Sequence, residues 1–91
     1  MWETVDPDGR RVVLSFDRWR HIVEEHGELE PYRRSLLAAV SAPDRRIPGR
    51  WTDEEWFYLR TAHPSRWIKV AVHFEDGEGR IVTAFPRRRF P

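Results

Sequence analysis

The residues whose types could do chemistry are few: His21 and His26 on an early helical stretch, Arg60 and Lys69 in two strand-forming runs, and Thr83 in a third. Cutting RNA without a metal needs a general base for the 2′-hydroxyl, an acid for the departing 5′-oxygen, and a cation or hydroxyl beside the phosphorane. Histidine, lysine or arginine, and threonine are the types that serve. Lys69 stands out further because it is the only lysine among 16 Lys and Arg residues. Strand alternation sends Ile68, Val70, Val72 and Phe74 one way and Trp67, Lys69, Ala71 and His73 the other, so lysine and histidine share a face opposite an apolar one.

His21-Ile-Val-Glu-Glu-His26 has the look of a zinc-protease helix, but the spacing argues against one. Two-histidine zinc motifs set their ligands four apart, on one helical face. Five apart is a rotation of about 140° from one to the other, too far to clamp one ion. With no cysteine to complete a site, no metal or other cofactor is expected. His26 falls on the apolar stripe Trp19, Ile22, Val23, His26, where a core histidine bonded to backbone is the ordinary role. His21 lies off it, in line with Asp17 and Glu25, where a solvated residue is ordinary.

The elements that must position these groups are readable from period and punctuation. Asp6-Pro7-Asp8-Gly9 is a turn, and Val12–Phe16 reads as an opening edge strand. Asp17 caps a helix that Gly27 stops; Pro31 starts a second helix that Pro43 ends. Arg45–Pro48 is extended, and Glu55–Thr61 is a strand with Phe57 and Leu59 on one face and Trp56, Tyr58 and Arg60 on the other. Arg66–Phe74 and Arg80–Phe85 form a hairpin around Glu75-Asp76-Gly77-Glu78-Gly79, whose two glycines supply positive φ. Val82 and Ala84 are expected beside Ile68, Val70 and Val72. The expectation is a single α+β domain over residues 1–91: two N-terminal helices on one face of a four-stranded, mostly antiparallel sheet. The opposite face is open and cationic, displaying Trp56, Tyr58, Arg60, Lys69, His73 and Thr83.

Composition narrows the function classes. The length fits one small core. At 40% hydrophobic and 13% aromatic residues the chain folds, and its 34% charged residues make an ionic surface. No apolar run approaches the roughly 20 residues of a membrane span, and the acidic start is unlike a signal peptide, so a cytoplasmic protein is expected. The net charge of +1 conceals an asymmetry: residues 1–44 carry an acidic excess, and residues 45–91 a basic one together with most of the aromatics. Cations with stacking surface suit nucleic acid, although aromatics also fill cores and arginines also solvate surfaces. Trp56 and Tyr58 would stack bases, with His73, Arg87 and Arg88 extending a phosphate track.

Taken in order, Trp19-Arg-His21-Ile-Val-Glu-Glu-His26, Trp56-Phe57-Tyr58-Leu59-Arg60, Ile68-Lys69-Val70-Ala71-Val72 and Ile81-Val82-Thr83-Ala84-Phe85 resemble the small phage and toxin nucleases of the barnase/EndoU/colicin/RelE (BECR) superfamily. The resemblance implies metal-independent RNA cleavage on an open sheet face, with His21 or His26, Arg60 or Lys69, and Thr83 as the acting residues. It also implies the role of toxin in a toxin–antitoxin pair, with RNA and an antitoxin or immunity protein as partners. The rival reading is a non-catalytic module holding RNA or a protein on the same face. Convergence of the polar groups on one phosphate-sized site would favour the enzyme, and scatter or ion pairing the binder. A purely structural domain would bury residues 56 and 58 under another element.

Overall fold

The computed structural model describes residues 1–91. Strands β1 (Trp2–Val5) and β2 (Arg11–Leu14) precede helix α1 (Phe16–Glu25), a 3₁₀ helix (Gly27–Tyr32) and helix α2 (Arg33–Ser41); β3 (Arg45–Pro48), β4 (Glu54–Arg60), β5 (Trp67–Glu75) and β6 (Glu78–Arg87) follow. The six strands form one sheet in the order β1-β2-β6-β5-β4-β3. This corrects the expected four-stranded sheet with two leading helices: a hairpin comes before the helices, and both lie between β2 and β3. The sheet is mixed, since β2 runs parallel to β6 while the other neighbours are antiparallel. Nor is β2 an edge; β1, with Trp2 paired to Leu14 and Val5 to Arg11, covers it.

Three local readings also change. Ser15, not Asp17, is the cap of α1: its Oγ accepts the Arg18 N–H at 3.1 Å. Helix α2 starts at Arg33, because Gly27 to Tyr32, with Pro31 inside, winds as a 3₁₀ turn instead. In the β5–β6 hairpin the tight turn is Asp76-Gly77, whose φ values of +52° and +80° suit a two-residue connection that follows the strand twist. Gly79 serves a different end. A Cβ there would lie 2.7 Å from Phe74 and 2.8 Å from Val72, so this glycine lets β6 close down on the core.

The core holds Ile22, Leu29, Leu36, Ala39 and Val40 from the helical layer against Val12, Leu14, Phe57, Ile68, Val70, Val72, Phe74, Ile81 and Ala84 from the sheet. Pairing is Val70 with Ala84 but Val72 with Ile81, so β6 carries a bulge and Val82 is the extra residue. Ile81 therefore takes the core position expected of Val82. The bulge also resets the phase, so that Thr83, Phe85 and Arg87 share the face of Ala71, Lys69 and Trp67.

Where the helical layer ends, charge closes the core. Asp6, its side chain fully buried, accepts the backbone N–H of Asp8 and of Arg10 and pairs with the Arg10 guanidinium at 2.7 Å. Arg10 stacks on Phe74, with Cζ 3.5 Å from the ring centroid, and reaches Glu55 at 2.6 Å; Arg46 bonds the other Glu55 oxygen at 2.7 Å and Asp8 at 3.0 Å. The network ties the β1–β2 turn to β3 and β4 across the face. Burial works against the Arg10 charge, yet the hydrogen bonds it donates to Glu55 and Asp6 raise its pKa above the ordinary value. Removing Asp6 leaves the Asp8 and Arg10 backbone N–H groups without their acceptor and leaves the Arg10 guanidinium with Glu55 as its close partner. Asp6→Ala should therefore lower stability by about 3 kcal/mol, read as a drop in urea midpoint at unchanged slope. A change below about 1 kcal/mol would mean the network is solvated after all.

Candidate nucleic-acid interface

Antiparallel pairing arranges the open face as a grid. One row runs Arg60, Trp67, Arg87; the next Tyr58, Lys69, Phe85; the next Trp56, Ala71, Thr83; and the last Glu54, His73, Arg80. Trp56, Tyr58, Arg60, Lys69, His73 and Thr83 thus lie on one face, as their alternation dictates.

Lys69 sits at the centre and is only 8% exposed. Its Nζ lies 3.4 Å from the Trp56 ring centroid, 5.1 Å from Phe85 and 5.8 Å from Tyr58, an aromatic enclosure of the kind that holds cations. No carboxylate comes within ion-pairing reach: Arg10, Arg11 and Arg46 all have acidic partners, and Lys69 has none. Glu54 acts on it only at longer range, one of its oxygens being taken by the Trp56 indole N–H at 3.0 Å and the Arg50 backbone N–H at 2.8 Å. Burial first, and the Arg87 charge second, lower the Lys69 pKa below its usual value, with Glu54 opposing them. A desolvated cation left without a counter-ion is a mark of a functional position.

The two histidines are separated by the fold. His21 turns to the solvent on α1 and meets Glu25 at 2.5 Å, one turn along the same helix. His26, at the C-cap, is half-buried with its ring centroid 5.7 Å from that of Phe85, and its side chain makes no hydrogen bond within the chain. The packing of α1 along β6 carries it there. The His26 ring and the Lys69 ammonium consequently both approach Phe85, with the Arg87 guanidinium 5.8 Å from the same ring, and Thr83 stands two residues before Phe85 on the same strand face. Thr83 likewise has no internal side-chain partner.

The remaining candidates stand apart. Arg60 projects over Trp67 at 5.8 Å, while its backbone N–H is bound by Asp44. His73 is four residues along β5 from Lys69, roughly 13 Å away. It lines a shallow recess with Arg11, Glu75, Glu78 and Arg80. Arg88 belongs to a separate recess, with Arg66, Arg89 and Ser65.

Tyr58 departs most from expectation. It is fully buried, not displayed, beneath Trp67 at 6.3 Å and Phe90 at 4.7 Å, because the segment after β6 folds back across the face. Trp56 keeps partial exposure. Burial of residue 58 was the mark of a structural domain, and here it is met at one of the two positions. The Tyr58 hydroxyl has no hydrogen-bond partner, and burial raises its pKa, with Arg87 opposing. A buried polar atom of this kind costs roughly 1–3 kcal/mol. Tyr58→Phe should accordingly stabilise the free protein by about 1 kcal/mol in thermal or urea unfolding; a destabilisation of that size would show that the hydroxyl is satisfied.

Alternation placed Trp67 on this face without assigning it a part, and sequence reasoning missed Phe85 and Phe90. The register of β5 with β6 would have revealed Phe85; the return of Phe90 leaves no periodic signal. No helix is long and apolar enough to cross a membrane. In comparison with known proteins, the chain matches no family model, no curated protein and no solved structure at a significant level.

Proposed function

We propose that this domain is a metal-independent endoribonuclease of BECR type that works on RNA laid across the open sheet face. The observation that carries the reading is the approach of His26 and unpaired Lys69 to the one Phe85 ring, on the strand face that also bears Thr83, with no carboxylate in ion-pair contact with the lysine. His26 takes the proton of the 2′-hydroxyl as its oxygen attacks phosphorus, then returns that proton to the 5′-oxygen as the P–O5′ bond breaks. Lys69 and Arg87 neutralise charge growing on the phosphorane, and Thr83 hydrogen-bonds a phosphate oxygen. The lowered Lys69 pKa makes its ammonium a readier hydrogen-bond donor to the leaving oxygen. Trp56 offers the exposed part of its ring to a base. RNA as substrate, with an acidic antitoxin to mask the cationic face, fits a cytoplasmic toxin.

The second reading, an RNA-binding module without cleavage, draws on a specific feature: Lys69 already faces the Trp56 ring, and no hydrogen bond joins His26, Lys69 and Thr83. One experiment separates the two. Labelled single-stranded RNA is titrated with the protein over a range of salt, then incubated with it in EDTA. Salt-weakened binding with cleavage that survives chelation is the expected result. Binding without cleavage favours the module; activity lost to EDTA and restored by a divalent metal overturns the mechanism; binding insensitive to salt overturns both.

A further inference from the structure

We infer that Tyr58, Trp67 and Arg45 frame a slot for a single nucleobase, which Phe90 fills in the free protein and vacates when single-stranded RNA arrives; the inference rests on the RNA-binding reading above. The Phe90 ring stands edge-on to Tyr58 at 4.7 Å and 79°, and tilted against Trp67 at 5.6 Å and 43°. The Arg45 guanidinium lies 5.9 Å from its centroid. A flat ring is thus what the slot accepts, and every base has one.

Two observations separate this slot from ordinary packing. The first is the hydroxyl of Tyr58, whose ring packs against Phe90 and Trp67 and whose oxygen is buried with no partner. A phenyl ring has nothing to offer it, whereas the amino, carbonyl and ring nitrogen groups on a base edge do. The second is the charge around the rim. Arg45 and Arg60 over Trp67 are without a carboxylate partner, as the phosphates flanking a bound base require, and Arg87 beside Phe85 is held only by the main-chain oxygen of Pro91, on the same segment that must leave. The occupant is also lightly held. β6 ends at Arg87, and beyond it the return is fastened by the Ser65 hydroxyl to the Arg87 carbonyl at 3.0 Å and by the Arg87 guanidinium to the Pro91 carbonyl at 2.9 Å. Phe90 itself stays 37% exposed.

If Phe90 competes with a base, removing its ring leaves the slot free, and affinity rises by the factor that competition withheld. Binding of fluorescein-labelled 2′-O-methyl oligoadenylate, which resists cleavage, is measured by anisotropy for the parent, Phe90→Ala and Phe90→Ala with Tyr58→Phe. An abasic oligomer serves as the control. Phe90→Ala should bind the oligoadenylate about five- to tenfold more tightly than the parent, with no such gain on the abasic strand. The double variant should lose several-fold of that gain, the size of one hydrogen bond. A parent that binds RNA but a Phe90→Ala that binds no better overturns the slot and leaves the RNA reading intact. An equal gain on the abasic strand means that the segment only screens backbone and overturns it too. No binding by either protein removes both. Should Phe90→Ala prove unfolded, Tyr58→Phe alone reports the same contact: a several-fold loss of affinity supports the slot, and unchanged affinity refutes it.

Discussion

His26→Gln should lower RNA cleavage by roughly 100- to 10,000-fold, the range of a lost general acid–base group, while His21→Gln leaves it unchanged. The fold sets the two apart. His26 ends α1 against Phe85, the ring that Lys69 also approaches, with the Glu28 carboxylate no nearer than 4.0 Å; His21 faces solvent and is occupied by Glu25. Glutamine keeps a polar side chain of similar reach, so binding of a non-cleavable RNA should change little. Equal activity in both variants would remove histidine from the mechanism, and loss in His21→Gln alone would mean that the reacting groups lie on the outer side of α1.

If the proposed mechanism holds, Lys69→Met should cut cleavage by roughly 100- to 1,000-fold and abolish toxicity on expression, because it deletes the charge assigned there to the phosphorane. The fold should persist. Methionine preserves an unbranched stem within the aromatic enclosure, and a lost cation–π attraction of about 0.5–2 kcal/mol is offset by relief from burying an ammonium group. The alkaline behaviour supplies an independent check. The folded pKa of Lys69 is lowered, so between that value and its ordinary 10.5 the unfolded chain binds more protons, and stability rises with pH. The parent should therefore gain on Lys69→Met as pH climbs through that window; the penalty is complete below it. Tyr58, whose pKa is raised, opposes this above its own ordinary range, but it does so in both proteins and drops out of the difference. A variant that folds normally and keeps full activity would make Lys69 a structural member of the sheet. One that unfolds would mean that its charge holds the strands together.

Much of the sheet was legible because strands repeat with period two. Ile68, Val70 and Val72 against Lys69 and His73, or Phe57 and Leu59 against Trp56 and Tyr58, divide between two faces by alternation alone. What alternation cannot carry is an interruption or a distant pairing. The bulge at Val82 exchanged Val82 for Ile81 in the core, and the parallel joining of Val12 to Gly79 has no local trace. The first strand was lost because Trp2-Glu3-Thr4-Val5 is short and acidic, and without it β2 looked like an edge. The site was legible in residue type and not in environment. Exposure of one sheet face could be inferred, but not that Phe90 would return to cover Tyr58 or that Lys69 would be desolvated by its neighbours. That His26 meets Phe85 while His21 faces solvent follows from how α1 lies along β6, which depends on the sheet order.

That order also governs how the chain comes together. β6 is the last strand formed yet sits inside the sheet, between β2 from the start of the chain and β5. Until it docks, a nascent chain carries a β1–β2 ribbon and a β3–β4–β5 meander, each with a bare hydrogen-bonding edge, and neither Thr83 nor Phe85 is in position. Joining them closes a loop of more than 60 residues, from Val12 to Gly79, a long-range step that slows folding and leaves sticky strand edges waiting meanwhile. Assembly of the Thr83 and Phe85 face and closure of the sheet therefore arrive in the same event, and a chain interrupted before Glu78 is a half-sheet prone to pairing with its own kind.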